Sequence, residues 1–166
     1  PGLTSLNLNG LTLSTSGTYS TLSATIRGTG TITGNNKAIA ALVINNGTGT
    51  TTLASALSCT TYTMTAGVID FATFNLTCSS TVSYVSGTLS NIGTITCTTW
   101  TVNGTFTMLS GTITPSISFV LTAGIFNYNG GTLNVPIFTQ TAGTVTLSQA
   151  LSLANTGTYT LTAGTL

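Results

Sequence analysis

Few side chains in this 166-residue sequence suit acid–base, nucleophilic or metal chemistry. They are Cys59, Cys78, Cys97, Asp70, Arg27 and Lys37. Histidine and glutamate are absent, so no Ser–His–Asp or Cys–His relay can form. One side-chain carboxylate cannot supply the pair that a typical glycosidase needs, and most zinc sites would lack their histidine ligands. The sequence therefore predicts a protein that is not an enzyme, with no catalytic, cofactor-binding or metal-binding residue.

The three cysteines follow one another at intervals of 19 residues. This spacing is neither a C-x-x-C redox motif nor a zinc pattern. Free cysteine is among the most buried residue types, so we interpret Cys59, Cys78 and Cys97 as a column of small apolar side chains in the core. Small secreted proteins usually pair their cysteines. An odd number of free thiols therefore indicates folding in a reducing cytosol, even for a product that acts outside a cell.

The charged residues have structural interpretations. Asp70 is expected to be a solvated turn residue. Arg27 and Lys37 flank a glycine-rich segment that lacks both the GK[ST] signature and the following helix of a phosphate-binding loop. A net charge of +1 predicts no surface for nucleic acid. Asn-x-Ser/Thr triplets are expected by chance in so Asn- and Thr-rich a sequence, and they begin at Asn46, Asn75 and Asn103.

Composition and repetition place the chain among folded repeat proteins. Apolar residues make up 41% of it, charged residues only 2%, and threonine is the commonest residue at 41 of 166. The longest apolar run has seven residues, 38–44, so no membrane span is expected. A glycine followed by a short alternating run recurs with a mean interval of about 19 residues. The glycines are Gly10, Gly30, Gly49, Gly67, Gly87, Gly104, Gly124, Gly143 and Gly164.

Between the glycines, apolar and polar residues alternate, as Phe106 and Met108 do with Thr105 and Thr107. Such alternation is typical of β-strands with one buried face. One short unit cannot bury its apolar face alone, but stacked units can. We predict an all-β, parallel β-solenoid, a right-handed β-helix by the crossover rule. It would have about 19 residues per coil, roughly eight coils and no significant helix.

Like side chains should then stack once per coil. Residues spaced by 19 predict a second, largely aromatic column: Tyr62, Thr81, Trp100, Phe119 and Phe138. An antiparallel sandwich or propeller is the alternative fold, but its turn signals recur every 8–12 residues without such a fixed column. We expect a single domain over 1–166, with less regular coils in 1–39, regular repeats in 40–166, and a longer parent chain.

Threonine pairs after the motif glycine, such as Thr105 and Thr107, resemble the hydroxyl arrays of ice-binding β-solenoids. The same place reads Val68-Ile69-Asp70 in one unit, Thr88-Leu89-Ser90 in another and Ile125-Phe126-Asn127 in a third, so the array is broken. Ice binding is therefore a weaker alternative. We interpret threonine here as the uncharged strand former that tolerates water.

The repeats themselves resemble the threonine-rich repeats of tailed-phage virion proteins, notably those of marine and cyanobacterial phages. The resemblance is carried by 61–67, 74–78 and 157–166 and covers most of the chain from about residue 40. It implies a fibre, spike or other exposed part of the virion surface. The partners would be copies of the chain, other virion proteins and a host-surface glycan. A secreted bacterial adhesin or carbohydrate-binding β-helix at the cell surface is the alternative.

Overall fold

The computed structural model describes residues 6–7, 12–14, 19–35, 38–151, 153 and 157–166. This part of the chain is all β; it holds no helix, and so no helix long and apolar enough to cross a membrane. The strands are β1 (Leu6–Asn7), β2 (Thr12–Ser14), β3 (Tyr19–Arg27), β4 (Gly30–Thr33), β5 (Ala38–Leu53), β6 (Leu57–Asp70), β7 (Leu76–Cys78), β8 (Thr81–Tyr84), β9 (Thr88–Ser90), β10 (Thr94–Val102), β11 (Thr105–Met108), β12 (Thr112–Leu121), β13 (Ile125–Tyr128), β14 (Thr132–Leu133), β15 (Ile137–Gln140), β16 (Thr144–Leu147) and β17 (Thr158–Leu161).

These strands form a parallel β-solenoid, as the sequence predicts. Paired residues on adjacent coils are 18 to 21 positions apart in the sequence. Thr94 and Thr112 are an example of the shortest separation, and Ile137 and Thr158 of the longest. One column passes through eight successive levels of the main sheet, from β3 to β17: Ala24, Leu42, Tyr62, Val82, Trp100, Phe119, Phe138 and Tyr159. The described residues thus make about seven turns, where roughly eight were expected for the whole chain. With strands ~4.8 Å apart, they span about 34 Å.

Alternation in the strands separates core from surface. In β10, Ile95 and Cys97 are buried before a register shift at 97–99, and Trp100 and Val102 are buried after it. The intervening threonines are partly exposed. The shift lets the strand turn a corner without losing its pairing partner β12. The core is therefore a single strip of apolar side chains along the inside of the coil.

Aromatic rings fill the later coils. Trp100 lies 6.3 Å from Phe119, Phe119 lies 5.0 Å from Phe138, and Phe138 lies 5.1 Å from Tyr159, measured between ring centroids. The predicted column was wrong at one position. Val82, which is fully buried, pairs with both Tyr62 and Trp100, while Thr81 faces outward. The coils here are 20 and then 18 residues long, so a fixed spacing of 19 selects the neighbouring residue.

Glycines stack at one corner. A Cβ added to Gly143 would lie 2.3 Å from the carbonyl oxygen of Gly124, and one added to Gly164 would lie 2.2 Å from that of Gly143. Both have positive φ, 87° and 115°, which only glycine adopts without strain. Gly30 does not join this column, because it pairs with Thr51. Gly28, with φ of 71°, packs against Gly49 in its place.

In the region expected to be less regular, 1–39, residues 1–5, 8–11, 15–18 and 36–37 lie outside the described ones. Where it is described, β4 pairs in register with β5, Gly30 with Thr51 and Ile32 with Leu53. The right-handed sense of the coil stays a prediction of the crossover rule.

Candidate functional site

The three cysteines stack at the corner between two sheet segments. Cys59 in β6 pairs with Cys78 in β7, and their Sγ atoms are 2.9 Å apart. The pairs Ile95 with Leu76 and Thr96 with Thr77 bring Cys97 in β10 to the next level of the column. All three thiols are free and buried. The prediction of a buried cysteine column is confirmed.

The surroundings of Cys78 and Cys97 favour the protonated thiol. The hydrogen bond with Cys59, together with burial, raises the pKa of Cys78 far above its ordinary value. Burial and the nearby Cys78 raise the pKa of Cys97 to about 12, although a backbone contact at Val82 acts against the rise. Burial and the two neighbouring thiols likewise raise the pKa of Tyr62. Because the thiolate is the nucleophile, Cys78 and Cys97 react slowly near neutral pH.

Asp70 organises the corner after β6. Its Oδ1 accepts hydrogen bonds from the backbone N–H of Ala72 at 2.8 Å and from Nδ2 of Asn91 in the next coil at 2.9 Å. Ala72 and Thr73 adopt positive φ of 46° and 67°. The carboxylate therefore satisfies donors of an otherwise strained turn. Asp70 is thus not in the turn itself: it is the half-buried last residue of β6, and its side chain holds the following turn and ties one coil to the next.

The basic residues do not converge on a site. Arg27 is exposed at the end of β3. Lys37 lies outside the described residues. Among the His, Cys, Asp and Glu side chains of the described ranges, no group of three could hold a metal ion.

The three asparagine triplets differ in accessibility. Asn46 is buried, and its Nδ2 donates to Oγ1 of Thr51 at 2.7 Å and to the carbonyl of Val68 at 3.1 Å. Asn75 and Asn103 are exposed. Sequence reasoning missed the internal role of Asn46, because the register shifts that turn it inward, between Ile44 and Thr50, follow no local motif.

A cleft interrupts one face of the solenoid. β9 pairs with β6, whereas β11 begins a separate three-stranded sheet with β13 and β16. The phenol of Tyr84 bridges the break: its hydroxyl donates to the carbonyl oxygens of Gly87 and Thr105. The cleft is about 130 Å³ and is also lined by Leu89 and Phe106. It has the size of a few waters.

A larger cavity of about 420 Å³ lies near the other end of the described chain. Its lining includes Tyr128, Leu133, Asn134, Gln149 and Leu153. Tyr128 directs its hydroxyl to the carbonyl of Gly131 at 3.0 Å. The described lining residues are uncharged, so the cavity offers hydrogen bonds and apolar contacts.

The outward side of the main sheet carries hydroxyl columns. Thr81, Thr99 and Ser118 pair in one column. Thr63, Ser83, Thr101 and Val120 pair in the other, and all are partly exposed. Sequence reasoning considered only the threonines that follow the motif glycine. The signal for this second face was T-x-T placed before the glycine, as at 61–63 and 99–101.

The hydroxyl array that follows the glycine is broken, as predicted from the sequence. Thr105 pairs with Ile125 and Thr107 pairs with Asn127. Asp70 pairs with Thr52 in the same way.

Comparisons with family models, with curated proteins and with solved structures find no match to this chain.

Proposed function

We propose that this chain is a structural component of a virion appendage of a tailed phage, a rod that holds an attachment or joining element away from the particle. The observation that carries the proposal is the continuous column from Ala24 to Tyr159, in which each coil pairs in parallel with its neighbours. No catalytic residue is part of this function.

Stiffness would come from two kinds of repeated contact. Backbone hydrogen bonds join successive coils across the sheets. Inside, the rings of Phe119 and Phe126 lie 4.8 Å apart and those of Trp100 and Phe106 lie 5.6 Å apart, which links the two sheets across the core. Close-packed interiors transmit strain rather than absorb it. Bending such a rod would break ladder bonds and ring contacts together.

The surface supports assembly with other chains. Only 2% of the residues are charged, and charged residues are depleted at the centres of protein interfaces. Large apolar side chains are exposed at several levels, among them Leu109 at 68% and Ile117 at 53%. Copies of the chain or other virion proteins are the partners that fit this surface.

The proposal is tested by determining whether the protein is part of virus particles in its source material. Virus particles would be purified by density gradient from the material that yielded the sequence, and antibodies against the chain would be applied for immunogold electron microscopy. We expect its peptides to co-purify with the particles and the gold to label an appendage. Peptides confined to the cell envelope would instead support an adhesin and reject the virion assignment.

A second function, glycan binding by an adhesin, is favoured by one feature, the partly exposed hydroxyl columns of the main sheet. Hydroxyl groups both donate and accept hydrogen bonds, as sugars do. Binding to a panel of bacterial surface polysaccharides would be compared for the unaltered chain, Thr99→Val on this face and Thr105→Val on the other sheet. Loss of binding only with Thr99→Val would support this function, and equal binding by all three would reject it.

A further inference from the structure

Two sulfur atoms of the cysteine column lie much closer together than ordinary packing of core side chains requires. Cys59 and Cys78 occupy paired positions on adjacent parallel strands, with Leu57 paired to Leu76 two residues earlier. Their Sγ atoms are 2.9 Å apart. Adjacent strands lie ~4.8 Å apart, within the range of about 4.4–6.8 Å that Cα atoms of disulfides span. The backbone is thus already placed for a bond between these sulfurs.

We propose that Cys59 and Cys78 are an oxidative modification site, which closes to a disulfide between consecutive coils and leaves Cys97 as a free thiol. This inference is independent of the proposed function. The bond would staple the corner where β6 and β7 meet, by closing a loop through 60–77.

The chemistry balances with hydrogen peroxide as the oxidant. Peroxide converts one thiol of the pair to a sulfenic acid and releases one water. The other thiol attacks that sulfur, forms the S–S bond and releases a second water. The two thiol hydrogens leave in the waters, two sulfurs are oxidised and peroxide is reduced. A small uncharged oxidant suits the site because both side chains are only 3% exposed.

Cys97 provides an internal comparison. It stands one level beyond Cys78 and is followed in the column by Pro115. Cys78 could therefore pair in either direction, but the sulfur contact favours Cys59. The raised pKa of Cys78 and Cys97 makes the thiols slow to react. The chain can thus fold with all thiols reduced and acquire the bond later.

The experiment uses the purified full chain, reduced, then exposed to hydrogen peroxide without denaturant and blocked with an alkylating reagent. Cleavage at aromatic residues separates the three cysteines, because Phe71 and Phe74 lie between Cys59 and Cys78, and Tyr84 lies between Cys78 and Cys97. Mass spectrometry then identifies the joined peptides. We expect Cys59 joined to Cys78 within one chain, and Cys97 alkylated.

Two variants complete the test. Cys97→Ser should form the same bond at the same rate, and Cys59→Ser should lose it. The oxidised chain should also unfold at a higher urea concentration than the reduced one. Predominant Cys78–Cys97 bonds, bonds between chains, or full alkylation of all three cysteines under conditions that oxidise the urea-unfolded chain would each overturn the proposal. Because the unaltered chain carries the main measurement, a variant that fails to fold does not remove the test.

Discussion

The hydroxyl of Tyr84 donates a hydrogen bond to the backbone carbonyl of Thr105, 21 residues further along the chain, at 3.0 Å. It does so where β9 and β11, both described by the structure, do not pair with each other. Gln140, three levels along the same column, makes an equivalent bridge from Nε2 to the carbonyls of Gly143 and Thr165, both at 2.9 Å. At the first corner the phenol stands in for backbone pairing. At the second, Gln140 adds to it, because the backbone N–H of Thr165 also donates to the carbonyl of Gly143.

Tyr84→Phe should destabilise the chain, because it leaves two carbonyl oxygens without this donor. The hydroxyl has a single proton, which the two carbonyls share, and a lost hydrogen bond is worth about 0.5–1.5 kcal/mol. We therefore expect a loss of about 0.5–1.5 kcal/mol in urea unfolding and faster amide hydrogen exchange at 88–107. Tyr128→Phe is the matched control, because Tyr128 bonds within its own corner, to Gly131, and should lose a similar amount without faster exchange at 88–107. Equal exchange at 88–107 in both variants would contradict the bridging role.

Asp70→Ala should weaken the corner after β6 by about 1–2 kcal/mol, because two hydrogen bonds to a partly exposed carboxylate are lost. Asp70→Asn keeps an acceptor oxygen and should stay within about 0.5 kcal/mol of the unaltered chain. Urea unfolding of both variants tests this difference. A polysaccharide-cleaving activity that disappears in Asp70→Asn while stability is kept would argue against a purely structural carboxylate.

Gly143→Ala should be among the most damaging single-methyl changes in the chain. Its new Cβ would lie 2.3 Å from the carbonyl oxygen of Gly124, on a backbone with φ of 87°. Backbone strain of this kind costs about 1–3 kcal/mol before the steric clash is added. Gly47→Ala is the control: φ is 62°, and no atom lies within 4 Å of the added Cβ. It should lose only about 1–2 kcal/mol. A smaller loss for Gly143→Ala than for Gly47→Ala in thermal unfolding would refute the stacked corner.

Alkaline solution should unfold the chain partly through Cys97. The pKa of this thiol rises from 9.0 to about 12 in the folded state. The unfolded chain releases the proton above pH 9 while the folded chain retains it, so the free energy of unfolding falls as pH rises from 9 to 12. Cys97→Ala removes this contribution and should flatten the pH dependence measured by urea unfolding. Some dependence remains, because the pKa of Cys78 is raised by its hydrogen bond with Cys59 and by burial, and burial also raises the pKa of Tyr62 and Tyr84. An unchanged slope would contradict the prediction.

The coil, its period and its inside–outside alternation could be predicted because they depend on repeated local patterns. The cysteine column was found in the same way. A fixed spacing could not predict that Val82 and not Thr81 belongs to the aromatic column, or that Gly28 and not Gly30 belongs to the glycine column. Individual coils gain or lose a residue at their corners. Burial then decides which neighbour faces inward, as it does for the fully buried Val82.

The inward turn of Asn46 and the bridge by Tyr84 depend on contacts between coils. Asn46 bonds to Val68 at a separation of 22 residues, and Tyr84 bonds to Thr105 at 21. Neither residue belongs to a sequence motif from which its hydrogen-bond partner could be predicted. Such contacts follow only once the register of neighbouring coils is known, and register shifts interrupt the pairing of β5 with β6 at this point.

The strict stacking of Trp100 over its neighbours also bears on how the gene can change length. Duplication of about 19 codons adds a complete level with every ring and hydroxyl on its proper side. Loss of a single codon inside a strand would turn the following residues over and present Trp100 to water. Natural relatives of this rod should therefore differ by whole levels, with smaller insertions confined to its corners.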